Sequence, residues 1–539
     1  MENQLINKRL SIGIDLGTTN TTVCTSRVDY TGIVKIDERT ISQKNCSSTD
    51  MKKRLPSVLH LDTSGNLTIG HEALYEIDKD IALGQTEVRY IQNSKLDIGT
   101  KKEYIIGDQV FTPSNVASEI LKFVLTHTYF GADKMLNILS DYDVFISVPA
   151  DFGMDAVNYT LAAAKEAGFV DPTIVYEPQA AILNFLHDQI IGNSDFSIDL
   201  TSKKRILVVD FGGGTCDICA EDVWIDENGK YNFQTAAVGR RNLGGSHIDA
   251  DIARFLVVKY NIVSPTATQL ASMVNSGRKL KEQLSNNIED YVIEHGDINV
   301  YKDENWESIL RNADSLEVDG FELTAAELIQ IMKARVFKPN GIIPDNAEEF
   351  EQWMNVEYLI SDTLQNHDID ASSIDFVFLT GGMSQCYIIK AALYEILKKD
   401  IIWTNQPFME VSRGASLFNK YENIIQVPTY MMPQSIMLET ASGHMSTLIN
   451  MGERVPKKDV VPEIFHSISR SGVVIRLFEG KNEFDSNLRK LNSQFICEFE
   501  EPKAAGQQFT IEYDIDKTKR ITFRLLFEDN SVYTIKAQV

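Results

Sequence analysis

Cysteine is scarce: six residues in 539, at positions 24, 46, 216, 219, 386 and 497, with no paired framework. That usage excludes a disulfide-stapled extracellular scaffold and suits a reducing compartment. Proline is also sparse, at 14 residues, and neither a low-complexity tract nor a short tandem repeat occurs, so large-scale disorder is excluded. No apolar run approaches the ~18 residues of a membrane span. The start, MENQLINKRLSIGID, passes from polar residues into a strand without a signal-like apolar region. Basic residues are outnumbered, 52 against 76 acidic, and the resulting net charge of −24 argues against a nucleic-acid binder, which needs basic surface to displace counterions from phosphates. The expectation is a cytoplasmic protein with no nucleic-acid and no membrane partner. Hydrophobic residues are plentiful, at 43%, enough at this length for at least two cores.

Strand and helix signals alternate along most of the chain. Ser11 to Ile14 and Thr21 to Cys24 are strand-like runs around the turn Asp15-Leu16-Gly17-Thr18-Thr19-Asn20, which predicts a hairpin. A helix is predicted to start near Thr112-Pro113-Ser114, with Val116, Ile120, Leu121 and Val124 at helical spacing. Val144 to Val148 reads as a strand ended by Pro149, and Met154 to Ala167 as a helix stopped by Gly168. The pattern recurs from Ile174 into Glu177-Pro178, from Arg205 into Asp210 and three glycines, and from Asp375 into Gly381-Gly382 and an amphipathic helix. Such alternation indicates an α/β body. Residues 423–434 read as irregular, and beyond them period-two alternation takes over. Phe509, Ile511, Tyr513 and Ile515 share one strand face. A division into 1–422, a linker at 423–434 and a β domain at 435–539 follows.

Two constellations carry chemistry. In IGIDLGTTN, glycine permits close backbone approach, and consecutive amides with threonine hydroxyls can surround an anion, while Asp15 can hold Mg²⁺ through water. VVDFGGGTCD repeats that logic, with Asp210 beside Gly212, Gly213, Gly214 and Thr215. Either turn alone is also an ordinary hairpin turn. Two in this order grip a polyphosphate from both sides and are the one hint of internal duplication. Walker-A spacing and a dinucleotide fingerprint are both absent. Cys216 and Cys219 form a Cys-x-x-Cys, but residues three apart on a strand point to opposite faces and no second pair completes a metal site. His71-Glu72 lacks the second histidine of a zincin.

With these motifs in view the chain resembles the seventy-kilodalton heat-shock chaperones (DnaK-like), within the wider superfamily of actin and sugar kinases. The resemblance covers IGIDLGTTNT, ISVPADF, EPQAA, VVDFGGGTCD, NLGGSHID and FLTGGMSQ, and continues into IMLETASGHMSTLI and VVIRLFEG of the tail. It implies an α/β actin-like ATPase domain, two lobes around a nucleotide cleft, followed by a small antiparallel β-sandwich domain. By the same resemblance the cofactors are ATP/ADP and Mg, with Gly17, Thr18, Thr19, Asn20, Gly212, Gly213, Gly214 and Thr215 on the phosphates and Gly244 and Gly245 also nucleotide-binding. Asp15, Asp210 and Asp217 become the metal-side carboxylates, and Lys95, Glu177, Asp210 and Thr215 the catalytic group. Glu177 would orient the attacking water, and Lys95 would offset charge on the transferred phosphoryl group. Taken alone, Lys95 is equally an ordinary solvated lysine. Lys281, Ser285, Gly381 and Gly382 match the family's adenosine contacts. Thr440, Ala441, Phe465, Val473 and Ile475 fall where the family lines its peptide groove, although each is equally a core position.

The implied activity is an ATP-dependent chaperone that hydrolyses ATP slowly and binds unfolded or extended apolar peptide segments. The implied partners are a J-domain co-chaperone and a nucleotide-exchange factor. Departures from the family favour, as an alternative, a nucleotide-gated adaptor that recognises one protein. Gln385 replaces the basic residue after the glycine pair, Arg278 falls near the acidic ribose contact, Val157 replaces an arginine, and Ile425 to Tyr430 replaces the acidic, leucine-rich linker. The sequence ends at Val539 with the β region, so the family's helical lid is expected to be missing and peptide release to be fast.

Overall fold

A computed structural model describes residues 10–45, 48–85, 87–128, 142–194, 196–295, 298–339, 343–344, 346–404, 406–426, 429–440 and 442–538. Two sheets of the same topology organise the first part. In the first, Leu10–Leu16 is central, with Asn20–Val28 and then Val34–Glu38 antiparallel on one side and Tyr142–Val148 and then Thr173–Tyr176 parallel on the other. In the second, Lys204–Phe211 is central, flanked by antiparallel Cys216–Ile225 and Tyr231–Arg241 and by parallel Phe376–Thr380 and Ile401–Ile402. Each glycine turn therefore joins the central strand to its antiparallel neighbour, at equivalent places in a repeated sheet.

Local chemistry accounts for the helices around these sheets. Thr112 caps Pro113–His127, its hydroxyl accepting from Asn115 N at 3.2 Å, and Val116, Ile120, Leu121 and Val124 bury the inner face. Met154–Glu166 stops where Gly168 takes φ +105°. Helices Glu177–Ile190 and Glu410–Leu417 pack so closely that a Cβ on Gly414 would lie 1.7 Å from Ala180 O.

From Tyr430 onward the chain is antiparallel β. Lys457–Val460, Gln508–Ile515, Ile521–Phe527 and Val532–Lys536 form one sheet, and Met445–Ile449, Ser435–Glu439, Leu477–Gly480 and Arg489–Lys490 another. Phe509, Ile511, Tyr513 and Ile515 face inward on alternate positions. One apolar cluster runs from Ile12 and Ile146 in the first sheet to Phe495 and Phe523 in this region, and Tyr176 meets Tyr430 at 4.4 Å between ring centroids.

Residues 423–434 are largely irregular at the described positions, as read, with a two-residue strand at Tyr430–Met431 and isolated bridges at Ile425 and Thr429. Tyr231–Arg241 presents unpaired edge groups, and the passing chain uses them: Tyr231 N donates to Ile424 O at 2.7 Å and Gln426 N to Tyr231 O at 2.8 Å. Ile425 and Thr429 bridge Tyr231 and Gln234, and Tyr430–Met431 is a strand paired with Arg454–Val455. An edge strand supplied by the rest of the fold leaves no trace in the local sequence.

Candidate functional site

The two glycine turns face one another. A Cβ on Gly213 would lie 2.3 Å from Thr19 Oγ1, and one on Gly214 2.9 Å from Thr18 Cγ2, so only glycine lets the second turn approach the first this closely. Ser57 braces the first turn: its Oγ donates to Gly17 O at 2.8 Å and its N to Thr19 O at 2.8 Å. The second is closed by Gly212 N donating to Thr215 O at 2.9 Å. Gly245 N and Ser246 N donate to Gly212 O and Gly213 O at 3.1 and 2.8 Å, which ties NLGGSHID to it.

Between the turns lies a cleft of about 510 Å³. Asp15, Gly17, Thr18, Thr19 and Asn20 line it from the first turn, and Asp210, Gly212, Gly213 and Thr215 from the second. Lys95, Glu177, Asp217, Gly245, Lys281, Ser285, Gly381 and Gly382 complete the lining among the expected residues. Gly214 and Gly244 stand behind it, against Thr18 and Gly213. Gln385 and Arg278 line the cleft as well.

Four carboxylates converge here with one ammonium. Lys95 Nζ donates to Glu177 Oε1 at 2.6 Å, with both side chains buried, so Lys95 is no solvated surface lysine. Ser147 Oγ donates to Asp15 Oδ1 at 2.9 Å. Burial pushes the Asp15 and Glu177 carboxyls up, opposed by the Lys95 charge. Asp210 is raised further, by burial and then by Glu177 and Asp217, and Asp217 is pushed up to about 7 by burial against the pull of Arg240. Burial works against the Lys95 ammonium, but Glu177 and Asp15 outweigh it and keep Lys95 charged. A cluster of this kind is short of positive charge. Hard oxygen donors of Asp15, Asp210 and Asp217 fit Mg²⁺, which usually keeps several waters. Among the described residues no three His, Cys, Asp or Glu side chains are set to ligate one ion directly.

Other placements qualify the sequence expectations. Lys281 is paired to Asp249 at 2.7 Å and donates to Gly245 O at 3.0 Å, and Ser285 Oγ donates to Cys386 Sγ at 3.2 Å. Cys216 and Cys219 lie in separate apolar clusters, consistent with sulfurs on opposite faces of one strand. In the C-terminal region, Thr440 Oγ1 donates to His444 O at 3.0 Å, Phe465 stacks on Phe509, Val473 packs against the core and Ile475 lies within it. Val474, Ile464 and Ile468 are the exposed apolar residues nearby in sequence. Ala441 lies outside the described residues. Sequence reasoning missed Ser147, Asp249 and Arg240. The last had a signal: a double arginine immediately before NLGGSHID, on an otherwise inward-alternating strand.

Duplicated sheets with apposed glycine turns and a carboxylate-rich cleft fit the class of proteins that hold a multiply charged anion together with a cation. Comparison with known proteins is specific. The family model described as Hsp70 protein matches residues 11–313 and 352–522. The chaperone protein HscA of Buchnera aphidicola subsp. Schizaphis graminum is 22% identical over 546 residues, covering 97% of this chain and 77% of that protein. The chaperone protein HscA homologs of Rickettsia africae and Rickettsia rickettsii are each 24% identical over 524 residues, covering 94% of this chain and 74% of theirs. The chain belongs to the Hsp70 family, whose members are ATP-dependent chaperones. No helix among the described residues is long and apolar enough to cross a membrane.

Proposed function

We propose that this chain binds Mg²⁺ and ATP in the cleft, hydrolyses ATP slowly to ADP and phosphate, and binds exposed apolar peptide segments through its C-terminal β region. Residues 1–422 form the actin-like nucleotide-binding domain in this reading, 423–434 the linker and 435–539 the peptide-binding domain. The carrying observation is the buried Lys95–Glu177 pair set among Asp15, Asp210 and Asp217 beside two glycine turns.

Bound Mg²⁺ would supply positive charge to the phosphate oxygens and orient them through its waters. Amides of Gly17, Thr18, Thr19, Gly213 and Gly214 bind the phosphates, with hydroxyls of Thr18, Thr19 and Thr215 beside them, while the Gly212 amide closes the second turn. Lys95 offsets charge on the transferred group, and Glu177 accepts a hydrogen bond from the attacking water and aligns it. Ser147 fixes the Asp15 carboxylate, and Lys281 orders the adenosine side through Asp249 and Gly245 O. The exposed Ile464, Ile468 and Val474 beside Phe465 and Val473 support apolar peptide binding in the β region. A J-domain co-chaperone and a nucleotide-exchange factor are the corresponding partners, in the cytoplasm.

Lys95→Ala and Glu177→Gln should each lower ATP turnover ~100-fold or more while fluorescent-nucleotide binding persists. Turnover equal to wild type in both variants would refute the catalytic assignment. Stimulation of turnover by apolar peptides supports the chaperone reading. Tight binding of a single protein without such stimulation supports the adaptor instead.

A further inference from the structure

Arg240 stands in a row of side chains that crosses the second sheet. Strand register places Thr380 beside Asp210, Asp210 beside Asp217, and Asp217 beside Arg240. Cross-strand neighbours on one face are the closest side-chain pairs a sheet provides, so register alone sets this arginine against a cleft carboxylate. Its Nε lies 3.4 Å from Asp217 Oδ1 and its Nη1 3.4 Å from Asp151 Oδ1. Asp151 is carried by the loop that follows the first sheet's strand Tyr142–Val148. The guanidinium also lies over the Phe152 ring, 5.4 Å from its centroid. It thus spans from the second sheet to the first, and both aspartates it grips line a chamber of about 10 Å³, the size of one water, together with Glu177 and Asp210. Its Nη2 is buried without a hydrogen-bond partner among the described residues. Arg240 does not itself line the nucleotide cleft, so it acts on the groups that do.

We propose that Arg240 is a positioning residue for hydrolysis: a fixed cation, anchored by Asp151, that holds Asp217 and the neighbouring Glu177 in place behind the phosphate site. The proposal rests on the ATPase reading given above. A second cation beside Lys95 lets four carboxylates share a small volume without splaying apart. The guanidinium suits this task because its planar fork reaches two carboxylates at once, which a lysine cannot do with the same geometry. Because it touches the carboxylates and not the nucleotide, its removal lowers kcat and leaves the KM for ATP nearly unchanged.

The test is steady-state turnover of the full chain with Mg²⁺ and ATP, alongside thermal unfolding. Arg240→Ala is expected to lower kcat ~10–100-fold, as loss of a partner behind a metal-site carboxylate does, with KM within about threefold. Low-millimolar guanidinium should restore part of the rate, Arg240→Lys should retain an intermediate rate, and Asp151→Asn should cost little once Arg240 is gone. Arg240→Met preserves the packing on Phe152 and should fold as wild type while remaining slow. Unchanged kcat in Arg240→Met overturns the proposal. So does a joint loss of kcat and nucleotide affinity that guanidinium does not rescue. Wild-type turnover no faster than Glu177→Gln overturns the ATPase reading and the proposal with it, whereas normal hydrolysis in Arg240→Met overturns the proposal alone.

Discussion

Asp155→Ala should loosen the C-terminal β region from the rest of the chain. The Asp155 carboxylate, in the first turn of Met154–Glu166 and fully buried, accepts from Asn492 N at 2.5 Å, Ser493 N at 2.9 Å and Ser493 Oγ at 2.6 Å. Asn158 Nδ2 adds a donor to Ser493 Oγ at 3.1 Å, and the nearest cation, Arg489, is 3.9 Å away. Truncation strands two amides and a hydroxyl, each at ~1–3 kcal/mol when buried. Relief of burying a carboxylate offsets part of that sum, leaving about 3 kcal/mol, or roughly a hundredfold in the docking equilibrium at ~1.4 kcal/mol per factor of ten. Hydrogen exchange read by mass spectrometry should show amides of 429–432 and 489–495 exchanging faster in the variant. Lys458→Ala, which removes one arm of an exposed pair with Asp514, should leave that exchange unchanged. Wild-type protection in Asp155→Ala at both stretches would show that these hydrogen bonds do not hold the two regions together.

Lys390 offers a pH test remote from the cleft. It is buried among the rings of Trp403, Tyr387 and Tyr301 with Glu289 nearby, and burial lowers its pKa from 10.5 to about 7. The unfolded chain then binds more protons between pH 7 and 10.5, so this group's contribution to stability rises with pH across that window. Below pH 7 its penalty is complete, at about 5 kcal/mol. Lys390→Met should raise the melting temperature more at pH 6 than at pH 10, and parallel shifts at the two values would count against the burial argument. Gly414→Ala drives a Cβ into Ala180 O and should cost about 3 kcal/mol; an unshifted denaturation midpoint would mean the two helices are less closely packed than described. Thiol labelling of Cys216 and Cys219, buried and pushed up by burial, should follow global unfolding, and rapid labelling of the folded chain would contradict their placement.

Features set by neighbouring residues were legible in the sequence. Both glycine hairpins, the helix start near Thr112-Pro113-Ser114 and the alternation through Phe509 to Ile515 are encoded within ten residues or so, and the structure places them as read. The opposite facing of Cys216 and Cys219 followed from strand geometry alone. What could not be read depends on distant partners. Arg240 meets Asp151 from 89 positions away, and Lys281 owes its placement to Asp249 on another helix. Ile424 to Gln426 and Thr429 look irregular because the strand that receives them lies almost two hundred positions earlier. Between Val474 and Ile475, alternation shows that the two face apart, but which one faces the core is decided by the sheet behind them.

The loop at 149–153 touches both the cleft and the C-terminal region. On its cleft side Pro149 lines the nucleotide site and Asp151 holds Arg240 against Asp217. On its other side the buried Lys519, from the turn before Ile521–Phe527, donates to Ala150 O at 2.6 Å, and Glu479 packs against Gly153. Lys519 is lowered to about 7 by burial, opposed by the charge of Asp151 on the same loop. One short segment is therefore held by charged groups from both regions, in a place where an unmade hydrogen bond is costly. Val157, at the position where the resemblance expects an arginine, is buried with no charge to offer. The Asp217–Arg240–Asp151 row and Lys519 place their charged contacts on the loop just before its helix, Met154–Glu166.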